Sequence, residues 1–381
     1  MNNFKLNEKI SFSGIDIQQK KIGVNINTSI ARVIETNKFI MGPEVSSLEE
    51  KLSCYLNTNF SISCANGTDA LSLALIALDF RRGDNVIVPS FTFISTAESA
   101  LILGINPIFV DINSDNYSIN YNQLKSVYSE SKRKGIKIKG IINVDLFGMP
   151  SNYEVLQDFC KDNKLKLITD AAQALGAKYK KEFISNFTDI TTTSFFPSKP
   201  LGCYGDGGCL FTNSKSIATK LKSLRIHGKG INKYDNISVG MNSRLDTIQA
   251  TILLEKLRTF SKELKRRKEV AKLYLENITD MVIKPFVDKD SDPIWSQFTI
   301  RTKKRDKLKA FLEENKIPTM IYYPIPLHKQ KAYKKFRILT NSLENSEDAC
   351  NQVVSIPIHG YISNLEVDKI ISYINKFFKN K

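Results

Sequence analysis

From about residue 60, short apolar runs rich in β-branched residues alternate with segments whose apolar residues recur at helical spacing. This alternation predicts a sheet flanked by helices, an α/β fold, rather than an all-α or all-β fold. Runs that are apolar throughout, such as 86–88 and 141–142, are expected of strands covered on both faces. The pattern predicts seven strands, at 60–64, 85–88, 107–110, 140–144, 166–169, 190–195 and 208–212.

Helices are predicted between these strands. Segments 68–78 and 153–163 each carry one apolar stripe at helical spacing, so both are expected to pack on the sheet. From 245 to 275 a long, charge-rich helical pattern replaces the alternation, and a strand-like run follows at 297–300.

The length of the chain predicts more than one domain. A single core rarely accommodates 381 residues. We place the boundary near residue 250, where the pattern changes. This gives a large domain over 1–250, which includes the N-terminal segment, and a smaller C-terminal α/β domain over 251–381.

Composition narrows the class of partner. Lys and Arg outnumber Asp and Glu by 55 to 39, a formal charge of +16, and such an excess can indicate nucleic acid, an anionic membrane or a phosphorylated substrate. The lysines are scattered along predicted helix faces, however, and no arginine-rich stripe or basic run with interleaved aromatic residues occurs. We therefore expect neither a nucleic acid nor a membrane as partner.

Cysteine and histidine usage favours a reducing compartment without a metal centre. The six cysteines contain no CxxC pair, and His227, His328 and His359 are too dispersed for a metal site. The first residues lack a basic segment followed by an apolar one, and the longest apolar stretch, 71–78, is too short to span a bilayer. We expect a cytoplasmic protein.

A candidate anion site follows the first predicted strand. At Gly67 and Thr68 a turn leads into a helix, whose free N–H groups and positive end favour a phosphate, with the Thr68 hydroxyl as a further donor. An ordinary helix N-cap explains the same residues. No GxxxxGK[ST] motif occurs, and the glycines at 202–208 precede a strand, so neither a P-loop nor a Rossmann fingerprint is supported.

Two charged side chains are candidates for chemistry, one at a strand end and one in the loop after a strand. Asp170 ends an apolar run, where a carboxylate is costly unless it caps a helix or meets a cation such as a protonated pyridine nitrogen. Lys199 lies between Pro197 and Pro200. Partial burial would lower its pKa and make the neutral amine available to attack an aldehyde, although the segment by itself also fits a solvated loop lysine.

Several motifs in a fixed order carry a resemblance. They are MGPEV at 41–45, GTDAL at 67–71, DAAQ at 170–173, SFFPSKPLGCYGDGG at 194–208, GMNSRLD at 240–246 and YPIPL at 323–327. Together they resemble the DegT-type nucleotide-sugar aminotransferases of the fold type I pyridoxal-phosphate (PLP) superfamily, over nearly the whole chain. The resemblance implies a mixed, mostly parallel seven-stranded sheet flanked by helices, with a smaller C-terminal α/β domain.

The resemblance also implies which residues meet the PLP ring. Lys199 would be the Schiff-base lysine and the proton shuttle. Asp170 would pair with the pyridinium nitrogen, and Gln173 would lie near the phenolic oxygen. Phe93 would stack on the ring, unless it fills the core.

The phosphate of PLP would be held by two subunits. Gly67, Thr68 and Ser194 would bind it from one chain, and Asn242 would join them from the neighbouring subunit. The resemblance thus implies a homodimer with shared active sites.

The implied reaction moves an amino group from glutamate to a keto nucleotide-sugar. A lysine at position 199 favours transamination, because relatives that dehydrate sugars carry histidine there. The motifs resemble in particular the enzymes that aminate C3 of UDP-2-acetamido-3-keto-glucuronic acid for surface polysaccharide such as O-antigen.

Three features leave the substrate open. Where those enzymes carry a basic loop residue and a His-Tyr pair near the sugar, this chain has Lys233 and the pair Tyr322-Tyr323. His328 either touches the substrate or is a surface-loop histidine. A neutral 3-keto or 4-keto deoxysugar on UDP or dTDP is the alternative substrate, and a non-catalytic regulatory protein of the same fold is a remote alternative.

Overall fold

The seven predicted strands form one sheet in the computed structural model, which describes residues 10–232, 234–336, 338–340 and 342–379. Predicted and observed strand ends differ by at most two residues. The strands are β1 Phe60–Cys64, β2 Asn85–Pro89, β3 Asn106–Val110, β4 Ile138–Val144, β5 Lys166–Asp170, β6 Ile190–Ser194 and β7 Gly208–Thr212.

The sheet is mixed and mostly parallel, as predicted. Its order is β1-β7-β6-β5-β4-β2-β3, and β7 runs antiparallel to both of its neighbours. The other six strands therefore share one direction, and their carboxyl ends open on one edge of the sheet. Ligands of open α/β sheets bind at this edge.

Helices cover both faces of the sheet. Along β2, Val86 and Val88 face one apolar cluster and Ile87 faces another, as the continuous apolar run predicted. The helices are α1 Ile15–Thr36, α2 Pro43–Leu56, α3 Gly67–Ala77, α4 Ser95–Ile102, α5 Tyr121–Arg133, α6 Tyr153–Asp162, α7 Lys215–Leu224, α8 Thr247–Asn277, α9 Arg305–Glu314, α10 Glu344–Gln352 and α11 Asn364–Lys379.

A second core lies beyond the large sheet. The antiparallel pair β8 Phe298–Arg301 and β9 Val353–Ile356 packs there with α9 and α11. The long helix α8 contributes to both cores, because Leu264 packs with the large-sheet side and Val270 with the second core. The boundary near residue 250 stays a prediction. We call the part beyond it the C-terminal lobe.

Two further features concern the N-terminal segment and the expected absence of a membrane span. Ile10, close to the start of the described chain, is buried in the second core rather than in that of the large sheet. Among the described helices, none combines the length and the apolar character needed to cross a lipid bilayer.

One buried ion pair fixes the strand that leads into the candidate anion site. Arg225, just after α7, pairs with Glu49 of α2 and donates to the carbonyl oxygen of Ser63 in β1 at 2.8 Å. Both charged side chains are at most 12% exposed. Losing one partner would leave the other buried and uncompensated.

We expect Arg225→Ala to lower the free energy of unfolding by about 3–5 kcal/mol, because the buried Glu49 would lose its partner. Urea denaturation followed by circular dichroism measures the change. The matched control is Arg133→Ala in the exposed pair with Glu130, which should change nothing measurable. Equal effects of the two substitutions would contradict a structural role for the buried pair.

Candidate active site

A cavity of about 650 Å³ opens at the carboxyl edge of the sheet. The segments that follow parallel strands meet there, and Gln297, Tyr322 and Tyr323 close it from the C-terminal lobe. The strand-end segments that line it are 66–69 after β1, 92–95 after β2, 144–146 around the end of β4, 170–173 from the last residue of β5 and 194–199 from the last residue of β6.

Lys199 lies in a tightly folded loop after β6. Its backbone N–H donates to the carbonyl oxygen of Phe196 at 2.8 Å, and Gly202 leaves no room for a side chain, since a Cβ would stand 2.5 Å from the carbonyl oxygen of Pro197. The buried Lys256 of α8 donates to the Gly202 carbonyl at 2.6 Å. Lys199 is thus half-buried on a braced loop, not a freely solvated lysine.

Burial acts on the charges of Lys199 and Asp170 in opposite directions. It lowers the pKa of Lys199 below its usual range, and the negative charge of Asp170 opposes that shift. It raises the pKa of Asp170, against hydrogen bonds and the charge of Lys199. Each environment therefore favours the neutral form of its group, and only the attraction between the two groups favours the charged forms.

Asp170 is held by two hydrogen bonds. Its carboxylate accepts from Thr96 Oγ1 at 2.9 Å and from the backbone N–H of Ala172 at 3.1 Å. Residues 171–176 lead into a turn, so Asp170 does not cap a helix. A carboxylate that is 7% exposed at a cavity wall is stabilised by a cation in the cavity.

Gln173 and Phe93 flank the same space. The Gln173 side chain accepts from the backbone N–H of Phe147 at 2.6 Å and donates to the Tyr323 hydroxyl at 3.3 Å. The Phe93 ring is 52% exposed and lies 5.7 Å from the ring of Tyr323. Phe93 therefore presents an open aromatic face to the cavity and does not fill the core.

The predicted anion site differs in one detail. Helix α3 begins at Gly67 rather than Thr68, and Asn66 is its N-cap, accepting from Asp69 N at 2.8 Å. Thr68 lies in the first turn, 2.8 Å from the hydroxyl of Ser95. Ser194 lies so close to Gly67 that a Cβ there would stand 2.7 Å from the Ser194 Cβ.

These residues fit the cofactor that the sequence resemblance implies. Four features line one cavity. They are the exposed aromatic ring of Phe93, the buried carboxylate of Asp170 with its raised pKa, the amine of Lys199 with its lowered pKa, and the start of α3 next to two hydroxyl groups. A flat, cationic ring that bears a phosphate and an aldehyde matches all four features.

Two predicted residues lie outside this cavity, and a third is not among the residues that the structure describes. Asn242 is exposed elsewhere, paired with Ile226 in an isolated β-bridge. The His328 ring is buried behind the wall, between Ser90 Oγ at 2.6 Å and Glu347 Oε1 at 3.1 Å, so it is not a surface-loop histidine. Lys233 lies outside the described residues.

Sequence reasoning missed three residues that support the site. Thr96 binds Asp170, Ser95 binds Thr68, and Lys256 braces the Lys199 loop. A threonine or serine at a helix start reads as an ordinary cap, and a lysine in a charge-rich helix reads as solvated. Their partners are distant in sequence, so no local signal was available.

A family model described as the DegT/DnrJ/EryC1/StrS aminotransferase family matches residues 20–375. The chain is 38% identical to a UDP-2-acetamido-2-deoxy-3-oxo-D-glucuronate aminotransferase of Pseudomonas aeruginosa, over 95% of this chain and 98% of that protein. It is also 34% identical to a pleiotropic regulatory protein of Geobacillus stearothermophilus, over 95% and 97% of the two chains.

Solved structures are similar over the same extent. A DegT/DnrJ/EryC1/StrS aminotransferase from Brucella abortus has a TM-score of 0.95 and 41% identity, covering 97% of this chain and 99% of that one. NtdA from Bacillus subtilis, with bound cofactor PMP, has a TM-score of 0.89 and 28% identity, covering 99% and 87%.

We expect Gly67→Ala to weaken cofactor binding about 10-fold or more, because the added methyl must displace Ser194 and such overpacking costs about 1–3 kcal/mol. Titration of the apoprotein with PLP, followed by absorbance, measures the affinity. Gly23→Ala is the control, since its Cβ would meet its nearest neighbour at 3.6 Å. Unchanged affinity in Gly67→Ala would argue against a phosphate site between Gly67 and Ser194.

Proposed function

Because this chain belongs to the DegT/DnrJ/EryC1/StrS aminotransferase family, we propose that it transfers an amino group from glutamate to C3 of UDP-2-acetamido-2-deoxy-3-oxo-D-glucuronate. It is a PLP-dependent aminotransferase of keto sugars with the fold type I architecture. The observation that carries the proposal is that the Lys199 amine and the Asp170 carboxylate line one cavity, each shifted towards its neutral form.

PLP, when bound, supplies an electron sink for the carbon from which a proton is removed. Lys199 would hold the aldehyde of PLP and would be the base that carries a proton, for which its lowered pKa suits it. Asp170 would stabilise a protonated ring nitrogen, and Thr96 holds its carboxylate in place. Phe93 offers its exposed face to the ring.

The remaining cavity residues would contact the phosphate group and the phenolic oxygen of PLP. Gly67, Thr68 and Ser194 would bind the phosphate, because the start of α3 and both hydroxyl-bearing residues line the same cavity. Gln173 would lie near the phenolic oxygen, because it lines the cavity as well.

The similarity to the Pseudomonas relative over almost the full length of both chains supports the uronate substrate. Tyr322 and Tyr323 line the cavity, which supports sugar contacts by this pair. Lys233 remains the candidate for the sugar carboxylate, as a point charge without the bidentate geometry of arginine. Since this chain has tyrosine where the uronate enzymes have the histidine of a His-Tyr pair, a neutral 3-keto or 4-keto sugar on UDP or dTDP is the second candidate. His328 does not line the cavity and would affect the substrate only indirectly, through its hydrogen bond with Ser90.

A homodimer with shared sites is part of the proposal. Among the described residues that line the cavity, Lys199 is the only cation, whereas Asp69, Asp145, Asp170 and Asp206 are acidic. Glutamate, a sugar nucleotide and the cofactor phosphate are all anionic, so further cations must come from elsewhere. The segment before Asn242 is suited to reach a partner.

That segment exposes apolar side chains and basic groups together. Ile231, Ile237 and Val239 are each at least 70% exposed, and Lys229 and Arg244 line a shallow surface depression beside them. Exposed apolar residues in such a cluster mark an interface. We propose that this segment brings Asn242 to the phosphate of the partner site.

We further propose that the enzyme works in the cytoplasm and serves surface polysaccharide synthesis. All six cysteines are free thiols, in keeping with a reducing compartment. A non-catalytic regulator of the same fold is the rival, but it would not require Lys199 and Asp170 to meet in one cavity.

We expect the purified protein with PLP to be yellow, to lose this colour when glutamate is added, and to aminate the 3-keto uronate. Lys199→Ala should lose both the change of absorbance on addition of glutamate and the turnover. Borohydride reduction and peptide mapping should place the cofactor on Lys199. A panel of uncharged 3-keto and 4-keto UDP- and dTDP-sugars, assayed with glutamate as donor, measures the preference.

Lys215→Ala, on an exposed lysine, is the control and should behave as wild type. Turnover of uncharged sugars alone would replace the uronate by the second candidate. A colourless wild type that PLP does not restore would favour the regulatory protein.

Mixed dimers test the shared site. A heterodimer of one Lys199→Ala chain and one Asn242→Ala chain, isolated with two affinity tags, contains one site with both residues intact if Asn242 acts across the interface. It should then show about half of the wild-type activity. Both parent homodimers should be strongly impaired. An inactive heterodimer would mean that Asn242 serves its own subunit.

A further inference from the structure

The loop that follows β4 binds the two residues proposed to meet the polar atoms of the PLP ring. The N–H of Asp145, the first residue after β4, donates to the carbonyl oxygen of Asp170 at 3.2 Å. The N–H of Phe147, two residues further on, donates to the side-chain oxygen of Gln173 at 2.6 Å. The position of this loop therefore determines where both Asp170 and Gln173 lie.

The conformation of the loop is not one that its residues adopt easily. Phe147 has a φ of 61°, in the left-handed region that residues with a side chain rarely occupy. Gly148, also left-handed, packs so closely that a Cβ would stand 2.9 Å from the carbonyl oxygen of Gln173. Such a backbone persists only where other contacts enforce it.

The carboxylate of Asp145 supplies those contacts. It is 1% exposed and accepts hydrogen bonds from both sides of the loop. The donors are the side-chain amide of Asn143 at 3.1 Å, the backbone N–H and the hydroxyl of Ser151 at 2.9 and 2.8 Å, and the hydroxyl of Tyr153. The carboxylate thus joins the start of the loop, at residue 145, to its end, at residue 151.

The partners of Asp145 are suited to hold it rather than to react with it. Burial raises the pKa of Asp145 to about 6, against the hydrogen bonds from Tyr153, Ser151 and Asn143. The carboxylate is therefore ionised at neutral pH, and it then accepts at every contact. All of these donors are uncharged, so the hydrogen bonds themselves must keep the buried carboxylate in place.

We propose that Asp145 is a positioning residue for the cofactor: its carboxylate fixes the loop 145–151, and two N–H groups of the loop fix Asp170 and Gln173 beside the PLP ring. The inference rests on the proposed function, in which these two residues meet the ring nitrogen and the phenolic oxygen. Asp145 acts through the loop and need not touch the cofactor.

We expect Asp145→Ala to weaken PLP binding about 10-fold, the size of one lost hydrogen bond to a strongly polar group. The absorbance maximum of bound PLP should shift as well, because the groups around the ring nitrogen and the phenolic oxygen would move. Titration of the apoprotein with PLP measures both quantities. In the PLP-loaded protein, hydrogen–deuterium exchange of the peptide that spans 145–151 should become faster.

Asp145→Asn separates the hydrogen bonds from the charge. Its amide oxygen can accept from Asn143 and Ser151 as the carboxylate does, and its NH₂ group can donate to the Tyr153 hydroxyl. This variant should therefore restore the wild-type absorbance, exchange rate and most of the PLP affinity. Should Asp145→Ala fail to fold, Tyr153→Phe, which removes one donor, should shift the absorbance in a smaller measure and speed exchange of the same peptide.

Asp111→Ala is the matched control. Asp111 directly follows β3, is 4% exposed and accepts from the N–H groups of Asn345 and Ser346 at 2.9 and 2.7 Å, so its carboxylate is as buried and as well bonded as that of Asp145. Its partners belong to the start of α10 and not to the loop 145–151. Asp111→Ala should lower the stability to urea but leave the PLP affinity and absorbance as in wild type.

The inference would be overturned by wild-type absorbance and PLP affinity in Asp145→Ala, or by the same change of absorbance in Asp111→Ala. Equal losses in Asp145→Ala and Asp145→Asn would also contradict it, because the charge rather than the hydrogen bonds would then matter. Failure of the proposed function shows itself separately, as a wild-type protein that neither binds PLP nor responds to glutamate.

Discussion

The site depends on burying an amine and a carboxylate in one cavity without giving either a full complement of counter-charges. Burial raises the pKa of Asp170 and lowers that of Lys199, and the attraction between the two groups opposes both shifts. A cationic ring beside Asp170 would then be favoured, and a neutral amine at Lys199 would be able to react. A buried charge is less stable than a hydrated one, so Asp170 and Lys199 need neighbours that fix their positions. Thr96 donates a hydrogen bond to Asp170, and Lys256 donates one to the loop that carries Lys199.

The two lobes meet at the residues that surround this pair. Ser296 reaches the Gln173 backbone, Tyr323 reaches the Gln173 side chain, and His328 reaches Ser90, three residues before Phe93. A shift of the C-terminal lobe would thus move the residues proposed to touch the ring. His328 illustrates the point, since its place behind the wall suits it to fix the segment that carries Phe93 rather than to bind the sugar.

The acidic character of the cavity sets a further constraint. With one lysine among the lining side chains that the structure describes, these residues do not balance the charge of the proposed ligands. One surface outside the cavity carries Asn242 and the exposed apolar side chains that precede it in the chain. Lys229 and Arg244 lie on the same surface. A second copy that places this surface over the cavity would supply both the missing contacts and the cover for the apolar side chains.

The sequence by itself determined the sheet, because strands buried on both faces, such as β2 and β4, must be apolar throughout and so are visible in a local pattern. It also indicated Asp170, since a carboxylate at the end of an apolar strand is costly enough to stand out. Lys199, in a loop that by itself also fits a solvated lysine, was indicated by the resemblance of its motif. Only the tertiary structure decided that helix α3 starts at Gly67, that His328 is buried, and that the Gln173 amide points its donor at Tyr323. The burial of His328 and the orientation of Gln173 depend on partners far away in the chain, and a hydrogen bond that is made by distant residues leaves no periodic signal in the sequence. The start of α3 depends on the local cap by Asn66, one of several neighbouring residues that could cap a helix.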